Sequence, residues 1–144
     1  MIKLTYDTPP TFIEIGKLKK RKIYLGYNAI YAGIHYSVRQ RIVHELKQFL
    51  WCKEFAEIGL IDEPVRVKIT YHRELKNWDL DNKCGLWAKC FLDLAKGQIF
   101  KDDNVRYVRE LVYAYQEGAD KLVIEIEPVK KERGRNAPNL LSKG

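Results

Sequence analysis

Between Pro64 and Arg73 the chain alternates, with Val65, Val67, Ile69 and Tyr71 apolar and Arg66, Lys68, Thr70 and His72 polar between them. A strict period of two sends successive side chains to opposite faces, so this stretch predicts a half-buried strand. Upstream the period changes. Val38, Ile42, Val43, Leu46, Phe49 and Leu50 recur at helical spacing behind Ser37, a suitable N-cap, and predict an amphipathic helix over about 36–56. Downstream, Leu80, Cys84, Trp87, Ala88, Phe91 and Ala95 form a second apolar stripe, with Asn82, Lys89, Asp93 and Lys96 on the polar side and Gly97 as the stop. After Asp102-Asp103 an extended run reaches Tyr115. The turn Glu117-Gly118-Ala119-Asp120 then leads into Leu122, Ile124 and Ile126 alternating with Val123, Glu125 and Glu127, which together predict a C-terminal hairpin. The order helix, strand, acidic helix, hairpin predicts one α+β (mixed α/β) domain over 1–129, a mixed sheet including that hairpin packed against two main helices.

The first third lacks such periodicity, and Pro9-Pro10 interrupts any long element. Phe12, Ile13 and Ile15 predict a short strand before Lys17-Leu18-Lys19-Lys20-Arg21-Lys22, in which five of six residues are cationic. Such a run repels itself unless it is solvated or paired with phosphate. Tyr24, Tyr27, Tyr31 and Tyr36 follow, so the segment offers either stacking surfaces and charge for nucleic acid or a solvated loop with half-buried tyrosines. Beyond Pro128, five cations against the single acid Glu132, with little apolar content, predict a basic tail at 130–144 without fixed structure until it meets an anion.

Composition narrows the class. With 144 residues, 46% of them hydrophobic, the chain has enough apolar material for one core, and a net charge of +7 favours polyanionic partners. No apolar run approaches the roughly 20 residues that cross a bilayer, and nothing near Met1 resembles a secretory signal, so a soluble intracellular protein is expected. Cys52, Cys84 and Cys90 are odd in number and lack paired spacing, which argues against a disulfide framework or zinc ribbon and for apolar fillers. His35 and His44 have no second ligand at a useful offset and read as surface or satisfied histidines.

Against this basic background stand Asp79-Leu80-Asp81-Asn82 and Asp102-Asp103. Acids at a helix start can simply cap exposed N–H groups. Clustered carboxylates, however, repel unless a proton or cation neutralises them. Oxygen-only donors suit hard ions, Mg²⁺ or Mn²⁺, better than zinc. Beside a phosphodiester, one such ion activates water and orients phosphate, and two ions about 4 Å apart serve both ends of an in-line displacement. The end of strand 65–72, the start of the helix at Asp79 and the start of the strand near Asp103 are expected to converge, with one residue of the Asp102-Asp103 pair facing the metal because neighbours in extended chain point apart.

The stretch from Val65 to Ile126 resembles the RusA family of Holliday junction resolvases: a strand, a basic segment, D-L-D-N opening a helix, an acid later in that helix, then a D-D pair. The resemblance implies a RusA-like fold and a homodimeric, Mg²⁺-dependent, structure-selective endodeoxyribonuclease that places paired symmetric nicks across four-way DNA junctions in recombination and repair. It implies a bacterial or phage-encoded, nucleoid-associated cytoplasmic protein. Asp79, Asp81 and Asp103 match the family's catalytic, metal-holding acids, while Asn82, Asp93 and Asp102 match positions beside them. The family's catalytic lysine, four residues after the second motif acid, is here Gly85; Lys89, one helical turn later and four residues before Asp93, is the better substitute and Lys83 the weaker. DNA contacts are expected from Lys17, Lys19, Lys20, Arg21, Lys22, Arg73 and Lys76. A catalytically weak junction-binding protein and a Mg²⁺ nuclease for flap DNA or RNA are the alternatives.

Overall fold

The computed structural model describes residues 1–129; the expectation for the basic tail lies outside the described residues. In chain order the elements are β1 (Ile2–Asp7), β2 (Phe12–Ile15), β3 (Arg21–Tyr24), α1 (Tyr27–Ala32), α2 (Tyr36–Leu50), α3 (Glu54–Ile58), β4 (Val65–Arg73), α4 (Leu80–Ala95), β5 (Val108–Glu117) and β6 (Lys121–Pro128). A four-stranded mixed sheet, ordered β1-β6-β4-β5, carries the two long helices, and β2 with β3 forms a separate two-stranded hairpin. The α+β class and single domain expected from the pattern are observed.

Periodicity explains the core. Val65, Val67, Ile69 and Tyr71 of β4 are buried, and α4 buries Cys84, Leu86, Trp87, Ala88, Cys90, Phe91 and Ala95. Removing side chains such as Leu86 and Phe91 from water stabilises by about 1.5–3 kcal/mol each. Ile42, Leu46 and Leu50 of α2 meet this face, and Phe49 packs at 5.6 Å from Trp87. Burial pushes the Cys84 and Cys90 thiols up to about 12, as suits two apolar fillers; Cys52 is half-buried.

The helix expected over 36–56 is interrupted. Trp51 leaves helical geometry at φ −65, ψ 135, and a short α3 follows. The N-cap is His35 rather than Ser37: its ring Nδ1 accepts the Ser37 N–H at 3.2 Å, which makes it one of the satisfied histidines. The irregular N-terminal reading missed β1, where Leu4 and Tyr6 are buried and the Tyr6 hydroxyl donates to the Leu50 carbonyl at 2.7 Å.

The C-terminal hairpin is a correction. β5 and β6 are not hydrogen-bonded to one another, because β4 lies between them, parallel to β5 and antiparallel to β6. The Glu117–Asp120 turn exists, but it steps across the end of β4, with the Gly118 N–H donating to the Arg73 carbonyl at 3.2 Å. Burial explains the choice. β6 buries Leu122, Val123, Ile124 and Ile126 and therefore gains from an interior position, whereas no residue of β5 is fully buried.

Candidate active site

Asp79 is the N-cap of α4, yet its side chain caps nothing. Two features hold it there. The preceding Trp78 stacks edge-on against Tyr71 of β4 at 5.2 Å and Tyr115 of β5 at 5.5 Å, and the Tyr115 hydroxyl donates to the Arg73 carbonyl at 2.8 Å. This aromatic clamp fixes the loop that delivers the motif. Periodicity gave no sign of it, since Trp78 lies outside every regular run.

Within the motif, Asp79 and Asp81 approach closely enough to share a hydrogen bond, and the Asp79 carboxyl raises the pKa of Asp81 above the usual carboxylate range. Both side chains are exposed, and among the described residues neither has an ion-pair partner. They open onto a groove of about 420 Å³ between α4, α1 and β5, which Gly85 and Lys89 line on the helix and Tyr27 and Tyr113 on its flanks. Two carboxylates with no His or Cys among the lining residues form a donor set for a hard cation. Mg²⁺ commonly takes only one or two carboxylates and completes its shell with water and substrate phosphate, so the open groove fits that ion.

Asn82 lines the same groove, but its side chain is committed to a structural contact. Its side-chain oxygen accepts the Asn28 N–H at 2.8 Å, and Gly26 packs so tightly on it that a Cβ there would lie 2.6 Å from the Asn82 amide nitrogen. Asn82 therefore anchors the junction between β3 and α1. Lys83 adds to this anchor by donating to the Leu25 carbonyl at 2.7 Å, and burial lowers its pKa. With its ammonium committed there, Lys83 is not among the groove-lining residues.

Lys89 does line the groove, with its ammonium 3.3 Å from Asp93. It lies eight residues beyond Asp81, about 12 Å along the axis, and its ammonium meets Asp93 one turn further from the acids. At Gly85 a Cβ would meet only the Tyr27 side chain, at 3.7 Å, so a longer residue there would extend into open groove. Of the two lysines considered as substitutes, only Lys89 lines the groove that the acids share.

Asp102 and Asp103 stand at the other end of α4, which overturns the expected convergence within one chain. The Asp102 carboxylate lies 3.4 Å from the Lys96 ammonium and accepts the Asp103 N–H at 2.7 Å, contacts that hold its pKa low. The 16 residues of α4 separate this end from Asp79, a rise of about 24 Å. The cause is topological: because β5 runs parallel to β4, the crossover helix carries the chain back before β5 begins. Residues 101–107 are bends and turns, so the alternation expected for Asp102 and Asp103 does not apply. Among the described residues no three His, Cys, Asp or Glu side chains form a metal-sized cluster.

The cationic run forms the exposed tip of the β2–β3 hairpin. Gly16 makes the turn possible, since at φ +114 a Cβ would lie 2.4 Å from the Lys19 carbonyl oxygen. The root of this hairpin is the Leu25–Asn28 segment, held by Lys83 and Asn82, which follow Asp81 in the chain. Arg73 and Lys76 are engaged locally, with Asp120 at 3.5 Å and Glu74 at 2.8 Å.

In comparisons with known proteins, no family model matches this chain and no curated protein matches it. No helix among the described residues is long and apolar enough to cross a membrane.

Proposed function

We propose that this protein is a Mg²⁺-dependent, structure-selective endodeoxyribonuclease acting on four-way DNA junctions. The observation that carries the reading is the Asp79–Asp81 pair: two unbridged carboxylates in contact, free of capping duty, in a groove that also holds Lys89. A hard divalent cation on these acids supplies positive charge for in-line hydrolysis of a phosphodiester. Lys89 binds the scissile phosphate, with Asp93 holding its ammonium in place. Lys17, Lys19, Lys20, Arg21 and Lys22 on the hairpin grip the backbone of a neighbouring arm, sequence-independently and in a salt-sensitive way. The exposed tyrosines Tyr24, Tyr27 and Tyr36, the second of them stacked on half-buried Tyr31 at 4.8 Å, offer surfaces for unpaired bases at a branch point.

Paired nicks require two sites related by symmetry, so the reading includes a homodimer. A second reading, junction binding without efficient cutting, is favoured by the position of Asp103 far from Asp79 in the single chain. The test is incubation with a synthetic four-way junction, duplex, flap and RNA hairpin, with Mg²⁺ or EDTA. Symmetric junction cleavage lost in Asp81→Asn, with binding retained, is the expected result. Metal-independent binding alone supports the second reading, and preferential cutting of flap or RNA rejects junction resolution.

A further inference from the structure

α2 lines a second groove, of about 470 Å³, with Tyr36, Arg39, His44 and Lys47, and Tyr31 of α1 and Asp93 of α4 line its other side. The charge there is lopsided. Among the described residues neither Arg39 nor Lys47 has an ion-pair partner, whereas the one acid of the groove, Asp93, is held by Lys89 at 3.3 Å. A solvated helix face would let its long cations extend into water. Here both are half-buried, and the Arg39 guanidinium lies 5.4 Å from the centre of the Tyr31 ring and 5.2 Å from that of Tyr36.

These features define a ligand. Two unpaired cations call for negative charge, and Lys47 follows Arg39 by eight residues, a rise of about 12 Å that suits separate phosphates of one strand rather than a single phosphate group. Tyr36 is 59% exposed, and Gln40 donates to its hydroxyl at 2.5 Å, so a fixed aromatic surface stands open beside the guanidinium. Bases stack on such surfaces whatever their identity. The volume is that of a small-molecule pocket, with room for about one or two nucleotides and none for a duplex.

The second groove also adjoins the acid groove. Lys89 lines the first and Asp93 the second, joined by their ion pair; Tyr27 lines the first and Tyr31 the second, stacked on each other. We propose that the groove between α2 and α4 binds a short single-stranded DNA segment, with Arg39 and Lys47 on separate phosphates and a base stacked on Tyr36. Resting on the function proposed above, that segment is the strand that continues past Lys89 from the acid groove, unpaired where the arms of a junction separate. The acids repel phosphate until a cation arrives, and the second groove supplies the attraction that the first lacks.

Fluorescence anisotropy on the full chain, with a labelled oligothymidylate of about eight nucleotides in EDTA, tests the groove. Arg39→Gln and Lys47→Gln should each weaken binding at least about fivefold and lower the slope of log affinity against log salt by about 0.7, one phosphate contact each. Tyr36→Ala should also weaken it at least about fivefold, and Tyr36→Phe, which keeps the ring, should not. Arg41→Gln makes the same charge change on an exposed part of α2 outside the groove and should leave affinity nearly unchanged. Circular dichroism should be the same for all variants, since none of these side chains belongs to the core. Equal losses for Arg41→Gln and Arg39→Gln would reduce the effect to general charge and overturn the site. Tighter binding of a duplex, or of the matching oligouridylate, through the same residues would overturn its assignment to single-stranded DNA. Neither metal nor cleavage enters these measurements. Absent junction cleavage therefore rejects the proposed function and leaves the groove standing, while unaltered affinity in Arg39→Gln and Lys47→Gln rejects the groove and leaves the function standing.

Discussion

The two ends of α4 carry the same chemistry in opposite states. At the N-terminal end Asp79 and Asp81 press against each other, raising the pKa of Asp81. At the C-terminal end Asp102 is satisfied by the Asp103 N–H and by Lys96, and its pKa falls. Satisfied acids stabilise a fold, whereas acids left in mutual repulsion weaken it unless something else neutralises them. Carboxylates left in repulsion in an open groove are what the proposed cation site requires.

Substitutions can sharpen this contrast. The largest effect is expected for Asp81→Asn, which should lower Mg²⁺-dependent junction cleavage by at least about a hundredfold in single-turnover assays, since the donor set loses a charge. Lys89→Ala should follow, with a loss of about tenfold to a hundredfold in turnover and little change in melting temperature. The reverse pattern is expected for Lys83→Ala, because it frees the Leu25 carbonyl and costs about 1–2 kcal/mol in denaturant unfolding. Equal kinetic losses for the two lysines would erase the distinction drawn between them.

The smallest effects read the comparison through pH. The raised pKa of Asp81 means that the folded state binds the proton more tightly than the unfolded chain, so stability falls as pH rises through the window just above the ordinary aspartate value. Without metal at neutral pH, Asp81→Asn should therefore melt slightly higher than wild type. For Asp102 the sign reverses: its depressed pKa contributes stability that is present above the ordinary value and lost as pH falls through the lower one. Asp102→Asn should melt lower at neutral pH, and the difference should close in acid.

Much of this site was legible in the sequence. D-L-D-N at the head of an apolar stripe identified the start of α4 and the carboxylate pair, and the alternation from Val65 to Tyr71 identified β4. What failed was non-local. The Glu117–Asp120 turn was recognised, but the strand accepting its hydrogen bonds depends on burial across the whole sheet, so the supposed hairpin became a step over β4. Asp103 was expected beside Asp79 because the end of strand 65–72, the head of the helix and the start of the next strand were expected to converge. Sequence order carries no information about which end of a 16-residue helix each acid occupies. The anchoring roles of Asn82 and Lys83 were likewise hidden, because their partners, Asn28 and Leu25, lie more than fifty residues away.

The central claim is that the Asp79–Asp81 pair receives a divalent cation, and Mn²⁺ titration followed by electron paramagnetic resonance tests it most directly. Wild-type protein should bind Mn²⁺ competitively with Mg²⁺, and Asp79→Asn/Asp81→Asn should lose that binding while keeping its fold and its affinity for junction DNA. Undiminished Mn²⁺ binding by the folded double variant would contradict the account.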